Sequence, residues 1–258
     1  MAKLASHSVV ESVGTYLSPF QLGSGVPFGA EAAAHSARSY LNDLPSSHIL
    51  LKLDFENAFN TIRCDKVLEA VAAITPQLLP YVFSCYSSPS TLYLQSTTLE
   101  SREGIQQGDP LGPLLFCLSI QPVILQLSSE FRVFYLDDGT LGGLEKDVLH
   151  DFVSIKQECS SLGLKLNISK SELISYGPAG AQLLKVAPNL RQIHPNEATL
   201  LGSPIGQLPS INTALSNKIQ ALRTMGSRLS LLSKHDALLL LRHCFALPKI
   251  LYVLRTAP

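Results

Sequence analysis

Two adjacent acidic residues interrupt an apolar stretch near the middle of this 258-residue chain. The sequence FRVFYLDDGTLGG places Asp137 and Asp138 between two apolar arms, with Gly139 directly after them. An Asp-Gly pair between apolar arms is typical of a β-hairpin with a tight turn. We therefore predict a hairpin over residues 131–143 with two carboxylates at its tip. Turn chemistry alone would also explain the pair.

A third acid occupies a similar position. Asp54 lies near the end of ILLKLDF, an apolar run of strand length. Acids at the ends of strands in one buried sheet converge at its rim, where three carboxylates would repel one another unless cations neutralise them. Two Mg²⁺ ions, about 3.5–4 Å apart and bridged by carboxylates, are the known arrangement for phosphoryl transfer. Asp54, Asp137 and Asp138 are therefore candidate metal ligands, with Mn²⁺ as an alternative ion.

The remaining hydrophobic pattern predicts an α+β body followed by a small helical bundle. Strand patterns occur at 49–55, 91–95 and 131–143, and an extended pattern at 165–176. Helical patterns occur at 64–74, with Asp65 as a candidate N-cap, and at 113–127, 148–162, 211–232 and 235–247, the last ending near Pro248. The boundary between body and bundle is expected near residue 207.

The charges of the chain are distributed unevenly. Residues 1–184 contain 11 Lys and Arg against 18 Asp and Glu, whereas residues 185–258 contain 9 against 2. A metal site beside a nucleic-acid-binding surface would need this arrangement of an acidic body and a basic C-terminal segment. Chance clustering of charges on solvated helices is the alternative.

Composition excludes several other classes of protein. Hydrophobic residues make up 46% of the chain, which argues against a disordered protein. The five cysteines are scattered, with no C-x-x-C pair, which argues against a disulfide framework or zinc site and for an intracellular protein. Residues 110–129 carry no charge but contain three prolines, so we expect a buried core helix there rather than a membrane span.

Five segments, in order, resemble the palm motifs of reverse transcriptases. LDFENAFNTIRCDKVLEAV resembles the first motif, REGIQQGDPLGPLLFCLSIQPVI the second, and FYLDDGTLGG the catalytic Tyr-x-Asp-Asp hairpin. GLKLNISKSEL resembles the fourth motif, and LLGSPIG resembles the turn that follows it in enzymes of non-LTR retrotransposons. Together they cover residues 52–206, and the pattern from Gln21 to Arg38 is shared with such elements as well.

The resemblance implies roles for individual residues. Asp54 and Asp137 would be the main metal ligands, Asp138 the third acid, and the backbone carbonyl of Phe55 a further ligand. Phe59, five positions after Asp54, would pack beneath the sugar of the incoming nucleotide and exclude a 2′-hydroxyl, so that deoxynucleotides are selected. An aromatic residue near a strand end is also commonly a plain core residue.

The resemblance assigns substrate contacts as well. Gln107 and Gly108 would line the nucleotide pocket, because glycine lets the backbone approach a substrate closely. Tyr135 would lie against the primer end. Lys170 would donate a proton to the departing pyrophosphate or neutralise its charge, although a solvated lysine explains it equally well. Basic residues of the C-terminal segment would hold the duplex: Lys218, Arg223, Arg228 and Lys234.

As a whole, the resemblance implies a polymerase palm, an antiparallel sheet packed on helices, followed by a small helical thumb. Residues 1–48 would be a remnant of the fingers and palm entry, 49–206 the palm, and 207–258 the thumb-like segment. The expected activity is RNA-directed DNA polymerisation with two Mg²⁺ ions. The expected partners are an RNA or DNA template with its primer and deoxynucleoside triphosphates, with no membrane involved.

The chain also departs from the family pattern. Reverse transcriptases normally clamp the triphosphate with basic residues of a fingers subdomain, but only Lys3 and Arg38 are basic in the first fifty residues. We expect most fingers strands to be missing and nucleotide binding to be weakened. A catalytically inactive, reverse-transcriptase-like fragment that at most binds nucleic acid is therefore the alternative. An RNA-templated RNA polymerase is disfavoured, because Phe59 would leave no space for a ribonucleotide.

Overall fold

The chain folds into two compact units in a computed structural model that describes residues 2–245 and 247–257, without the side chains of 210 and 247–249. One unit comprises Met1–Gly29 with Pro45–Gln192, and the other comprises Ala30–Leu44 with Ile193–Pro258. This division groups an early helical segment with the C-terminal part of the chain. The assignment of 1–48, 49–206 and 207–258 to polymerase subdomains stays a prediction.

The helices and strands alternate irregularly along the chain, as expected for an α+β fold. In order, the described elements are α1 (Ala2–Leu17), α2 (Gly29–Asn42), β1 (His48–Leu53), α3 (Ala58–Thr61), α4 (Cys64–Ile74), α5 (Leu79–Tyr86), β2 (Ser90–Leu94), β3 (Thr97–Ser101), α6 (Gly112–Leu125), β4 (Phe131–Tyr135), β5 (Asp138–Leu144), α7 (Glu145–Ser161), β6 (Glu172–Ile174), α8 (Ala181–Val186), β7 (Arg191–Ile193), β8 (Thr199–Leu200), β9 (Ser203–Pro204), α9 (Leu208–Leu229), α10 (Lys234–Leu240) and α11 (Leu247–Thr256). The predicted hairpin is formed by β4 and β5.

The main sheet has five strands in the order β4-β5-β1-β6-β7. The central strand β1 pairs antiparallel with β5 on one side and with β6 on the other. Side chains alternate between the two faces of a strand, and Ile49, Leu51 and Leu53 enter the main core while Leu50 is buried on the opposite face. The apolar run ILLKL is thus explained by burial on both faces of a central strand.

Helix α6 is the central helix of the first unit. Eleven of its residues are buried, so it is apolar all round rather than on one stripe. Helices α1 and α4 pack against α6, and α7 packs against β1 and β5. The prediction of a buried core helix within 110–129 is confirmed.

The second unit is held together around a buried arginine. Arg38 in α2 is 6% exposed, and its guanidinium donates to the carbonyl of Pro204 at 2.6 Å and to the carbonyl of Thr256. Tyr252 donates its hydroxyl to the carbonyl of Leu201 at 2.9 Å.

One helical run within the described residues, Lys234–Thr256, is long and apolar enough to cross a membrane. Length and composition are the sole basis for this, and a core helix of a soluble protein can meet the same criteria. The prediction that no membrane is involved stays a prediction.

Three local predictions were wrong. Helix α4 begins after Arg63, and Asp65 lies in its first turn, where it accepts hydrogen bonds from the Arg63 guanidinium instead of capping the helix. Pro248 does not end a helix but lies in the first turn of α11, where a proline costs no hydrogen bond. The extended pattern at 165–176 forms a strand only at β6, because a turn at 167–170 precedes it.

Candidate active site at the rim of the sheet

The three acids predicted to bind metal are brought to one end of the sheet. Leu53, the last residue of β1, lies opposite Gly139 of β5. Because the strands are antiparallel, Asp54, which follows Leu53, and Asp138, which precedes Gly139, lie at the same rim. Asp138 is in turn paired with Tyr135 across the hairpin, with Asp137 in the turn between them. The antiparallel register of β1 and β5 therefore places Asp54 beside Asp137 and Asp138, although more than eighty positions separate it from them in the chain.

The acids influence one another electrostatically. Burial raises the pKa of Asp137, with a further rise from the Asp54 carboxylate and partial opposition from a backbone hydrogen bond. Burial, Asp137 and Asp54, in that order, raise the pKa of Asp138 to about 6, while Lys52 lowers it. Carboxylates that repel one another in this way are typical of sites that bind cations.

The acids do not form a complete metal site by themselves. Within the residues that the structure describes, no three Asp, Glu, His or Cys side chains are arranged as a ready set of metal ligands. Mg²⁺ commonly binds one or two carboxylates and takes its remaining ligands from water and substrate phosphates. The donor set at this rim, which consists of oxygen ligands only, fits that chemistry.

The backbone of Asp54 is bonded, on the side away from β5, to the segment that precedes β6. The Asp54 N–H donates to Ser171 Oγ at 3.1 Å, and the Asp54 carbonyl accepts from the Asn167 N–H at 2.7 Å. Phe55 forms a bridge with Leu166 in this pairing. Because successive carbonyls of a strand point to opposite sides, the Phe55 carbonyl points away from Leu166, towards the side on which β5 lies.

Lys170 belongs to the turn that supports Asp54. Its N–H donates to the carbonyl of Asn167 at 3.2 Å, and its side chain is exposed. The neighbouring Ser171 is fully buried and donates its hydroxyl to the same carbonyl at 2.9 Å. The position of Lys170 near the rim is thus fixed by the backbone of the turn.

Phe59 lies against the core helix. Its ring stacks on Phe116 of α6, with the ring centroids 4.7 Å apart and an angle of 17° between the ring planes. Phe59 itself is half-buried, and its carbonyl accepts from the Ile105 N–H at 2.6 Å. The loop that follows Ile105 is thereby attached to α3, which contains Phe59.

This loop carries the two residues predicted to line the nucleotide pocket. Gln107 donates its side-chain amide to Asn60 Oδ1 at 3.1 Å, and both residues line a cavity of about 650 Å³. Gly108 has a φ of 84°, a left-handed conformation that glycine adopts without strain, and no atom lies within 4 Å of where a Cβ would be. The open space at Gly108 is compatible with close approach of a substrate.

The predicted duplex-binding residues lie in the second unit and are exposed. Lys218, Arg223 and Arg228 are five positions apart along α9, which separates them by about 140° around an α-helix. They therefore surround α9 rather than forming one stripe. Lys234 begins α10.

One buried residue at the hairpin was not among the residues that the sequence predicted for the site. Gln21 is fully buried, and its side-chain amide bonds with both backbone groups of Leu136, the residue before Asp137. The sequence signals at this position are the resemblance of the segment from Gln21 to Arg38 to retrotransposon enzymes and the pattern QLGSG, in which a glutamine precedes two closely spaced glycines. That pattern indicates a turn but does not indicate which distant backbone the glutamine contacts.

An antiparallel sheet that packs on helices and carries acids at one rim is the architecture of a polymerase palm. A family model described as reverse transcriptase (RNA-dependent DNA polymerase) matches residues 3–205. The chain therefore belongs to the reverse transcriptase family. Members of this family generally use divalent metal ions and bind a nucleic-acid template.

Two curated relatives come from retrotransposons. The Retrovirus-related Pol polyprotein from type-1 retrotransposable element R2 of Bradysia coprophila is 27% identical over 161 residues, which cover 56% of this chain and 18% of the relative. The Retrotransposable element SLACS 132 kDa protein of Trypanosoma brucei gambiense is 28% identical over 191 residues, which cover 67% of this chain and 16% of the relative. The chain thus spans less than a fifth of the length of either relative.

Telomerase is among the solved structures that resemble this chain. The structure of apo telomerase from Candida tropicalis, truncated from its C-terminal domain, matches with a TM-score of 0.49 at 12% identity, covering 78% of this chain and 43% of that one. This likeness is too distant to carry an argument about function.

Proposed function

We propose that this chain is an RNA-directed DNA polymerase that extends a primer on an RNA or DNA template with deoxynucleoside triphosphates. The observation that carries the proposal is the placement of Asp54, Asp137 and Asp138 at one rim, where burial and mutual repulsion raise the pKa of the last two. A divalent cation would remove that repulsion. The retrotransposon origin of the relatives supports the same activity.

Two Mg²⁺ ions, or Mn²⁺ in their place, suit this set of carboxylate and carbonyl oxygens. Bound there, the ions would activate the primer 3′-hydroxyl and stabilise the charge of the leaving pyrophosphate. Asp54 and Asp137 would hold them, the Phe55 carbonyl would add a ligand, and Asp138 would contribute negative charge. Because these side chains are not a ready metal site, substrate phosphates and water would complete the coordination.

The residues around the rim would position the substrates. Phe59, backed by a buried aromatic ring, would pack beneath the sugar and select deoxynucleotides. Gln107 and Gly108 would line the nucleotide pocket, and Tyr135, paired with Asp138, would lie against the primer end. Exposed Lys170 would give a proton to the pyrophosphate or neutralise it. Positioning and charge neutralisation of this kind supply most of the catalysis in phosphoryl transfer.

The duplex would be bound by the basic C-terminal segment through phosphate contacts. The residues that would make them are Lys218, Arg223, Arg228 and Lys234. Because Lys218, Arg223 and Arg228 are spread around α9, they would not contact a single row of phosphates. Such contacts carry no sequence information, in keeping with an enzyme that copies any template. An intracellular location is part of this proposal, since all five cysteines are free thiols.

Primer extension tests the proposal directly. Purified chain would be given poly(rA)/oligo(dT), labelled dTTP and either Mg²⁺ or Mn²⁺. We expect metal-dependent incorporation that falls at least about 10²-fold in Asp137→Ala, since a catalytic electrostatic contact is worth that much. The matched control is Glu158→Gln, an exposed acid on α7 that should leave incorporation unchanged. No incorporation above the Asp137→Ala background, across both metals and several templates, would overturn the proposal.

The second candidate is a reverse-transcriptase-like domain that binds nucleic acid without turnover. It is favoured by the acids of the rim, which do not form a ready set of metal ligands within the residues that the structure describes. It predicts salt-sensitive binding to primer–template and no extension under any condition. Each of Lys218→Ala, Arg223→Ala and Arg228→Ala should lower the slope of log Kobs against log salt by about one if that residue contacts a phosphate. Unchanged slopes would remove the basic segment from either candidate.

A further inference from the structure

The outer edge of β4 is covered by the segment that follows α1. Phe134 donates its N–H to the carbonyl of Phe20 at 2.7 Å, and Leu22 donates its N–H to the carbonyl of Phe134 at 2.7 Å. Gln21, between them, forms a parallel bridge with Phe134. At Phe134 the hairpin strand β4 therefore has backbone partners on both sides.

Beyond Tyr135, the last residue of β4, the side chain of Gln21 bonds the backbone in place of a neighbouring strand. Leu136 has a φ of 57°, a left-handed conformation that is strained for a residue with a Cβ. Gln21 Nε2 donates to the Leu136 carbonyl at 3.0 Å, and Gln21 Oε1 accepts from the Leu136 N–H at 2.9 Å. One amide group thus satisfies both backbone groups of a strained residue that directly precedes Asp137.

The surroundings of Gln21 restrict its side chain to this position. Gln21 is fully buried, and its Oε1 also accepts from the Gly23 N–H at 2.9 Å. A Cβ at Gly23 would lie 2.5 Å from the Leu136 nitrogen, so only glycine allows this approach. The backbone of Gln21 is in turn attached to α1, because its N–H donates to the Leu17 carbonyl at 3.0 Å.

We infer that Gln21 is a positioning residue that sets the conformation of the hairpin tip and, through Leu136, the placement of Asp137 and Asp138. Its catalytic consequence rests on the proposed polymerase function, but its effect on the tip does not. A strained left-handed residue persists only where its surroundings determine it. Without the amide, Leu136 would lose two partly buried hydrogen bonds, and the two acids that follow it would no longer be held in a single arrangement.

The test compares Gln21→Met with a control of similar destabilisation elsewhere in the first unit. Gln21→Met keeps the length of the side chain and removes all three hydrogen bonds. Val71→Ala shortens a fully buried side chain of α4, outside the hairpin, and so weakens the core. Hydrogen exchange at the Leu136 amide is measured by NMR in both variants, together with kcat and KM for dTTP in primer extension.

We expect faster exchange at Leu136 in Gln21→Met and no selective change there in Val71→Ala. The kcat of Gln21→Met should fall about 10²-fold with KM within about twofold of the wild type, since displacing catalytic groups by about 1 Å costs that much in rate. Unchanged exchange at Leu136 in a folded Gln21→Met would overturn the inference, as would full kcat. Inactivity of the wild type together with the expected exchange result would instead count against the proposed function alone.

A conservative variant separates positioning from mere packing. Gln21→Glu retains an oxygen that accepts from Leu136 and Gly23, but in its ionised form it cannot donate to the Leu136 carbonyl. Exchange at Leu136 should therefore lie between that of the wild type and that of Gln21→Met, and should approach the wild type as pH falls and the carboxyl gains its proton. Exchange as fast as in Gln21→Met at every pH would contradict the role of the hydrogen bonds.

Discussion

Phe59 and Phe116 stack with their ring centroids 4.7 Å apart and their planes 17° from parallel. Phe116 is fully buried in α6, whereas Phe59 is half-buried, so one ring belongs to the core and supports the other at the edge of the site. This arrangement unites the two interpretations of Phe59 that the sequence leaves open. A core contact on one face of the ring does not prevent a substrate contact at its exposed edge.

The Phe59→Ala variant should gain use of ribonucleotides, because removal of the ring opens space for a 2′-hydroxyl. It should also lose roughly 2 kcal/mol of unfolding free energy, since the half-buried ring and its stacking contact with Phe116 are removed. The measurements are the ratio of kcat/KM for dTTP and UTP, and urea unfolding.

The control for this variant is Phe83→Ala, which removes an aromatic residue of α5 that is 57% exposed. It should change neither the nucleotide ratio nor the stability by a comparable amount. No gain in ribonucleotide use by Phe59→Ala would refute the steric role and reopen the RNA polymerase interpretation.

The pH dependence of stability should report the acidic rim. Burial and the neighbouring acids raise the pKa of Asp138 from 3.8 to about 6 in the folded protein, so the folded state binds this proton more tightly than the unfolded chain does. The resulting stabilisation is complete below pH 3.8 and is lost as pH rises through about 6. Without metal, Asp138→Asn should therefore raise the melting temperature above pH 6 and lose this advantage in acid.

The gain should be modest, on the order of 1 kcal/mol, because Asp138 is exposed and solvent screens its charge. Melting would be followed by circular dichroism with EDTA present. Glu11→Gln, an exposed acid on α1, is the control and should show no such pH-dependent difference. A constant difference between Asp138→Asn and wild type from pH 4 to pH 8 would contradict the raised pKa.

Gly23 should not tolerate a side chain. The Cβ of Gly23→Ala would lie 2.5 Å from the Leu136 nitrogen and 2.6 Å from its Cδ2, so the hairpin tip would have to move. We expect a loss of primer extension larger than the loss of stability explains, measured as kcat against melting temperature.

A second glycine provides the comparison. Gly226 lies within α9, and a Cβ there would meet no atom within 4 Å. Gly226→Ala should stabilise that helix by about 0.5–1 kcal/mol through its higher helix propensity, without loss of extension. Equal effects of the two substitutions would show that the contact between Gly23 and Leu136 has no special role.

Asp151 should be required for stability rather than for catalysis. It is 1% exposed on α7 and accepts from the N–H and hydroxyl groups of both Ser128 and Ser129 at 2.6–2.9 Å, which joins α7 to the entry of β4. Asp151→Asn replaces one of the two acceptor oxygens with an NH2 group, which would face donors, and removes the negative charge. We expect this to cost about 2–4 kcal/mol of unfolding free energy.

Urea unfolding measures that loss, with Glu158→Gln on the same helix as an exposed control. The kcat of the folded fraction of Asp151→Asn should stay within about threefold of the wild type. A folded Asp151→Asn of unchanged stability would show that water can replace the carboxylate at this position.

The sequence determined those features that depend on local pattern. Alternating and apolar runs predicted the strands around Asp54 and the hairpin of β4 and β5, and the uncharged stretch at 110–129 predicted a core helix. The order of the palm motifs predicted the family and the three acids of the rim. These inferences succeed because side-chain periodicity and turn chemistry are set by residues close together in the chain.

Only the tertiary structure decided which distant groups meet. Gln21 contacts Leu136 across 115 positions, Phe59 stacks on a helix more than fifty residues away, and Arg38 is bonded to the carbonyl of Thr256. Likewise, the helical pattern at 235–247 did not show that a further helix, α11, begins at Leu247 and has Pro248 in its first turn. The physical reason is that burial selects partners in space, and a buried glutamine amide can satisfy any backbone group that the fold brings to it.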